Sequence, residues 1–365
     1  MKLTGTTRRE LAEAVKTACP AARKLFLDLG GCRIRVDSSS DELNDALAAY
    51  FKEFVTESGD SDIVVSTHET PAPESDLDFN VKQPDPGKTK IKEEWIDLPD
   101  GRVVRKRLTG MHFIFGDGEN VAVGPCLKNS NQVINFINNR FIECKLNRGG
   151  FLGHAAGVRS GERGISLAGF SGAGKSTLAL HLMSKGTTFV SNDRVMVEEN
   201  GGGLFMYGVA KQPRINPGTA LNNPDLCRIV EPDLRERFLS LPQDELWQLE
   251  HKYDALIDEC YGPGKFELRC PMNGLVILNW KREDLPMRAD FVDPRERKDL
   301  LPAFMKPTGL FYLPDDPARR EDPDEDAYAD ILAKADLIEI SGGIDFDRAS
   351  EVCLHYMKTG LLPAD

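Results

Sequence analysis

Apolar positions recur at two periods along this chain, and the switches between them mark its elements. Leu11, Val15 and Ala18 fall three to four residues apart, the spacing of one helix face. LFLDLGGCRIRVD (25–37) alternates as strands do, around a Gly-Gly turn. Ser39-Ser40-Asp41 then precedes Leu43, Leu47, Tyr50, Phe51 and Phe54, the pattern of a capped amphipathic helix. DIVVST (62–67) predicts a strand, and the Pro/Asp-rich PAPESDLDFNVKQPDPGK (71–88) predicts a loop. WIDLPDGRVVRKRL (95–108) predicts a hairpin turning at Pro-Asp-Gly, and a second hairpin turns at Asp117-Gly118. Val133, Ile134, Ile137 and Phe141 predict a helix over 131–146, which Gly149-Gly150 ends. Residues 1–148 therefore read as a mixed α+β region with no recognisable chemistry of its own.

From Phe151 the pattern changes. FLGHAAGVRSGERGISLAGF predicts two short strands, followed by a glycine-rich loop and the helix-forming STLALHLMSKG. Further strands run through TTFVSNDRVMVEENGGGLFMYGVAKQPRIN, turning at Gly201-Gly202-Gly203. Residues 217–270 read as helix-rich around LPQDELWQLEHKYDALIDECYG. GLVILNW (274–280) has the unbroken apolar run of a buried strand. PDDPARREDPDEDAYAD (314–330) reads as a charged, solvated loop, and ADLIEISGG with DRASEVCLHYMKTG closes the chain with a strand and a helix. The expected architecture is α/β over 149–365, preceded by the α+β region.

Length and composition narrow the function. The 365 residues suit two domains, and 41% hydrophobic residues suffice for a sizeable core. A formal charge of −12 argues against a nucleic-acid binder, though not against a local basic pocket for one phosphate ligand. No apolar run reaches the roughly 18–20 residues of a membrane span. The first thirty residues hold no apolar core of a secretory signal, so a cytoplasmic location is expected. Eight dispersed cysteines with no Cys-x-x-Cys pair read as buried small hydrophobes in a reducing compartment, neither a disulfide framework nor a zinc site.

One segment carries chemistry. Gly169-Phe170-Ser171-Gly172-Ala173-Gly174-Lys175-Ser176 matches G-x-x-x-x-G-K-[ST], with a strand before it and a helix after. Glycines let successive backbone N–H groups point inward and cradle phosphate oxygens, and the positive end of the following helix adds to the anion site. Lys175 is expected to reach the β- and γ-phosphates, and the Ser176 hydroxyl to hold Mg²⁺. The motif predicts ATP and Mg²⁺ as ligands. Ser191-Asn192-Asp193-Arg194 follows the next strand. A carboxylate there suits a metal ligand or an acceptor of a hydroxyl proton, and equally a strand-end turn paired with Arg194.

His154, GFSGAGKST and VSNDRVMV together resemble the catalytic domain of the HPr kinase/phosphorylase family. That family has a His before the loop, a G-x-S-G-x-G-K-S loop and a D-D-R-V motif on the strand after the helix. The likeness covers about residues 150–216 and points to the HPr-kinase-related proteins of bacteria. It implies a P-loop kinase domain of the type shared with phosphoenolpyruvate carboxykinase. Carried over by position, it implies that Gly169, Ser171, Gly172, Ala173, Gly174, Lys175, Ser176 and Thr177 hold the triphosphate, with Ser176 and Asp193 on the metal. Asp193 would be metal ligand, general base or both, and His154 would sit near the reacting phosphate. Lys211 and Arg214 are candidates to meet phosphate or an acidic acceptor.

The chain departs from the family at three places. Asn192 stands where the family has its first Asp, Thr177 where the regulatory enzyme continues with Glu, and VAKQPRINPG where it carries E-x-R-G-x-G. Kinase activity survives these departures better than phosphorylase activity. The expected function is transfer of the γ-phosphate from ATP to a Ser or Thr hydroxyl of a partner protein. A metabolite hydroxyl is the variant, and a nucleotide-dependent binding module with weak or no transfer is the alternative. The family forms oligomers, so a homo-oligomer is an implied possibility.

Overall fold

A computed structural model of the chain describes residues 1–84, 89–316 and 324–364. The chain folds as two compact units, Met1–Arg148 with Thr308–Glu321, and Gly149–Pro307 with Asp322–Asp365. The return of Thr308–Glu321 to the first unit carries no mark in the hydrophobic pattern.

The first unit is built on an eight-stranded sheet. Strands Arg33–Ser38, Ile63–Glu69 and Glu119–Gly124 run parallel at its centre. Antiparallel strands extend it on both sides, from Arg23–Asp28 to the hairpins of Glu93–Leu98, Gly101–Lys106 and His112–Gly116. Alternation sorts the side chains. From His112–Gly116, Ile114 joins Val103, Val121 and Val123 under helix Arg8–Ala18, whose Leu11, Ala12 and Val15 are fully buried. Phe113 and Phe115 point to the other face, where Phe136 of helix Ser130–Asn147 and the returning Phe311 meet them at centroid distances of 4.8–6.0 Å. Helix Asp41–Tyr50 starts where the capping pattern puts it, with the Ser40 hydroxyl accepting from the Leu43 N–H at 3.2 Å.

The second unit stacks a six-stranded sheet against a four-stranded antiparallel one. Arg163–Gly169, Gly274–Leu278 and Asp336–Ser341 run parallel at the centre of the larger sheet. GLVIL lacks alternation because both of its faces are covered. Leu275 and Ile277 enter the core with Met206, Phe304 and Leu337. On the other face, a β-carbon at Gly274 would lie 2.8 Å from the Tyr356 ring of helix Phe346–Thr359. The smaller sheet joins Phe151–Gly153, Val195–Asn200, Gly203–Gly208 and Arg269–Pro271.

Three expectations are corrected. Residues 151–169 hold three strands rather than two, because the chain leaves the small sheet after Gly153 and joins the large one at Ala155. The helical pattern over 241–262 is broken, with helices Gln243–Gln248 and Ile257–Tyr261 flanking a strand, Tyr253–Asp254, that pairs with Arg214–Ile215. Part of the charged segment at 314–330 is helix, Glu325–Leu332, capped by the Asp324 carboxylate. Residues 317–323 of that segment, and 85–88 of the Pro/Asp-rich loop, lie outside the described residues. No helix among the described residues is long and apolar enough to cross a membrane.

Candidate nucleotide site

The glycine-rich loop joins the end of strand Arg163–Gly169 to helix Lys175–Ser184. Gly172 and Gly174 take left-handed backbone angles, φ +80° and +91°, so the chain folds back within a few residues. Gly174 is also sterically required, since a β-carbon there would lie 2.7 Å from the Phe346 ring. The Ala173 N–H donates to the Phe170 carbonyl at 3.1 Å, and the Trp280 indole N–H donates to the Ala173 carbonyl at 2.8 Å. The second bond pins the loop from outside its own segment. The ten-residue helix that follows presents its first, unpaired N–H groups at the loop.

Lys175 is buried and folds back over this loop, donating to the Gly169 carbonyl at 2.7 Å and the Phe170 carbonyl at 3.5 Å. Burial pulls its ammonium below the ordinary lysine value; Asp193 opposes that shift and Lys306 adds to it. Ser171 and Gly172 are exposed, and Ser176 is half-buried at the start of the helix. The Thr177 hydroxyl is taken by the Thr219 hydroxyl at 3.0 Å, which leaves its backbone N–H as its contribution to an anion site.

Asp193 sits in the bend between Thr188–Ser191 and Val195–Asn200. The Ser191 hydroxyl braces that bend, donating to the Arg194 carbonyl and accepting from the Val209 N–H. Asp193 Oδ1 lies 3.3 Å from His154 Nε2, and Oδ2 lies 3.6 Å from Arg194 Nε. The His154 hydrogen bond holds the carboxyl well below the usual range. Burial opposes it, and the charges of Lys306 and Arg194 assist. Its side chain nonetheless keeps 59% of its surface exposed, so the carboxylate is both ionised and reachable.

His154 and Lys306 reach this place by one local pairing. The His154 N–H donates to the Phe304 carbonyl at 2.6 Å, and the Lys306 N–H to the Leu152 carbonyl at 3.2 Å. The two backbones approach so closely that a β-carbon at Gly153 would lie 2.2 Å from the Phe304 ring. Lys306 escaped the sequence reading because it lies far along the chain, in no motif. Asn192, a departure from the motif of the resembled family, has its Oδ1 buried with no hydrogen-bond partner.

The structure thus brings His154, Lys175, Asp193, Arg194 and Lys306 into one electrostatic neighbourhood. Lys211 joins it, its ammonium lowered by burial and by Arg194, with Asp193 acting the other way. Arg214 lies on the short strand that pairs with Tyr253–Asp254, its guanidinium 3.1 Å from the Asp254 carboxylate. Its place as a triphosphate ligand therefore competes with that ion pair.

Mg²⁺ takes oxygen ligands, usually one or two from protein and the rest from phosphate and water. Ser176, Asn192 and Asp193 are a donor set of that kind. Among the described residues no group of three His, Cys, Asp or Glu side chains is placed to hold a metal ion.

No protein-family model matches the chain, and no curated protein matches it. Among solved structures 54 chains match. One is the HPr(Ser) kinase/phosphatase from Coxiella burnetii, 14% identical, covering 57% of this chain and 88% of that one at a TM-score of 0.29. A score that low does not establish a shared fold, and the functional reading stands on the site's own geometry.

Proposed function

We propose that this chain is an ATP-dependent phosphotransferase with a P-loop kinase-type second unit, which passes the γ-phosphate to a hydroxyl of a partner protein. One observation carries the reading. An ionised, reachable carboxylate, Asp193, shares the field of Lys175 and Lys306 beside a glycine-rich strand–loop–helix turn. Phosphoryl transfer asks little covalent chemistry of a protein; it needs charge neutralisation and an aimed nucleophile.

In this reading the N–H groups of the loop and of the first helical turn hold the phosphates. Lys175 exchanges its loop carbonyls for phosphate oxygens, and Lys306 adds a second cation. Ser176, Asp193 and the Asn192 amide oxygen are the groups that would hold Mg²⁺, which would supply further neutralisation of the transferring charge. A carboxylate held so far below its usual range is a poor proton acceptor. Asp193 therefore serves as ligand and as hydrogen-bond acceptor that aims the hydroxyl, with His154 fixing its orientation.

The second reading is a nucleotide-dependent binding module. Asn192, in the position where the resembled family carries an Asp, favours it. A transfer assay with γ-labelled ATP, Mg²⁺ and lysate of the source cells decides between them. Label entering a discrete protein with wild type, and not with Lys175→Ala or Asp193→Asn, supports the protein kinase. Label in a small molecule redirects the assignment to a metabolite kinase. No transfer, with ATP still bound by calorimetry, overturns the phosphotransferase reading.

A further inference from the structure

One tryptophan reaches the glycine-rich loop from a neighbouring strand end. Trp280 follows strand Gly274–Leu278, which runs parallel beside Arg163–Gly169, the strand that feeds the loop. Its backbone is tied on both sides. The Asn279 N–H donates to the Ile340 carbonyl at 2.8 Å, and the Lys281 N–H to the Gly342 carbonyl at 2.9 Å. The Asn279 side-chain amide adds a bond to the Glu339 carboxylate at 2.7 Å. The Trp280 ring is buried and meets Phe346 edge to face, with 5.0 Å between centroids. Its indole N–H therefore meets the Ala173 carbonyl from a fixed place, at 2.8 Å.

That bond falls between two peptides that the second unit's local bonds already orient. The Gly172–Ala173 peptide is set by the Ala173 N–H, which donates to the Phe170 carbonyl at 3.1 Å. The Gly174–Lys175 peptide is set by the Gly174 carbonyl, which accepts the first helical bond from the Leu178 N–H at 2.9 Å. Between them lies the Ala173–Gly174 peptide, flanked by a glycine in left-handed backbone at φ +91°. Glycine torsions turn at small cost, so this plane gains its direction from what holds its carbonyl. The peptide is trans, and a trans peptide points its C=O and N–H in opposite directions. With the Ala173 carbonyl on the indole, the Gly174 N–H faces away from Trp280.

We propose that Trp280 is a positioning residue of the phosphate cradle: it holds the Ala173–Gly174 peptide in the orientation that presents the Gly174 N–H to a phosphate oxygen. The inference rests on the reading of the loop as a phosphate site, and not on phosphoryl transfer. Anion cradles of this kind work by aiming successive N–H groups at one place. Once released, the plane is free to turn and bring the Ala173 carbonyl oxygen toward the anion. Losing the indole bond thus exchanges a charge-assisted donor for a repelling acceptor.

The neighbouring contacts do different work. The Phe346 ring, which a β-carbon at Gly174 would meet at 2.7 Å, limits how closely the loop approaches but carries no hydrogen-bonding group. Lys175 braces the other end of the loop, at the Gly169 and Phe170 carbonyls. The indole N–H is the group whose loss should be felt by the anion and not by the fold.

The test makes two replacements in the full-length protein and measures Mg-ATP affinity by calorimetry. One puts the benzothiophene isostere of tryptophan at position 280, which keeps the fused ring and removes the N–H; the other is Trp280→Phe. Both should weaken Mg-ATP binding roughly tenfold or more, the order of one lost hydrogen bond to a charged group. The urea midpoint of the isostere protein should stay at the wild-type value, which separates the aiming of a donor from support of the fold. Unchanged affinity in the isostere protein overturns the proposal and leaves the nucleotide reading standing, even where Trp280→Phe binds weakly, since the ring would then be the group that matters. A urea midpoint of the isostere protein that falls in step with its affinity also overturns it. Wild type that binds no Mg-ATP is the separate outcome that removes the nucleotide reading, and the proposal with it.

Discussion

Two substitutions separate holding a nucleotide from using it. Lys175→Ala removes the ammonium that caps the loop carbonyls, and transfer should fall by roughly 10²–10³, the usual cost of losing one preorganised charge partner. ATP affinity should fall with it. Asp193→Asn keeps the shape and loses the charge, so transfer should fall roughly 10²-fold or more while ATP affinity changes far less. Calorimetry and the labelled-ATP assay read the two quantities apart. Near wild-type transfer by Asp193→Asn would remove it from the site. Lys175, Ser176 and Asp193 were legible in the sequence because a loop and the next strand end are fixed by local spacing. Lys306 was not, since only the pairing of Phe304–Lys306 with Leu152–His154 carries it there. The value of Asn192 was also hidden, because an unpaired buried oxygen is a fact of packing rather than of motif.

At the scale of elements, the loop's two left-handed glycines make unequal demands. Gly172 opens onto space, so Gly172→Ala pays only for its backbone, about 1 kcal/mol. Gly174→Ala adds a collision with the Phe346 ring and should cost clearly more. Urea unfolding of the second unit's transition measures both, and equal costs would mean that the Phe346 contact does not constrain the loop. Most helices and strands were readable because apolar spacing and caps agree, as at Ser40 and Leu43. Strand Phe151–Gly153 was missed because three residues are too few to show a period. The break at Tyr253–Asp254 was missed because a partner distant in sequence, Arg214–Ile215, overrides a helical pattern.

For the whole molecule, acid should weaken the first unit before it touches the nucleotide loop. His112 is fully buried; its Nδ1 meets the Gly110 carbonyl at 2.9 Å, and its Nε2 has no partner. Burial lowers it from 6.5 to about 4, with Arg105 adding to the shift and the Gly110 bond and Glu94 opposing it. Burial lowers His68 too, against its bond to the Cys19 carbonyl. Between the folded and unfolded values the unfolded chain binds protons that the folded chain refuses, so stability is complete above about pH 6.5 and falls toward pH 4. At ~1.4 kcal/mol per pH unit, His112 alone accounts for roughly 3 kcal/mol at most. Denaturant titrations at several pH values should show the slope, and His112→Asn should flatten it. A slope unchanged in the variant would place the acid sensitivity elsewhere. The aromatic stack that holds the other face of this unit has a different consequence. Phe311 lies parallel to Phe115 at 5.7 Å, and its carbonyl accepts from the buried Arg140 guanidinium. Fragment 1–148 should therefore unfold at lower denaturant than the same fragment given a 308–316 peptide in trans. If the peptide adds nothing, the returning segment is decoration. On the ribosome the stack must wait while the intervening 159 residues (307 − 148) are made, roughly 8–30 s at ordinary elongation rates. For that interval the nascent unit carries a guanidinium that has its Glu143 partner but not yet its Phe311 acceptor, and chaperones have a window in which to find it.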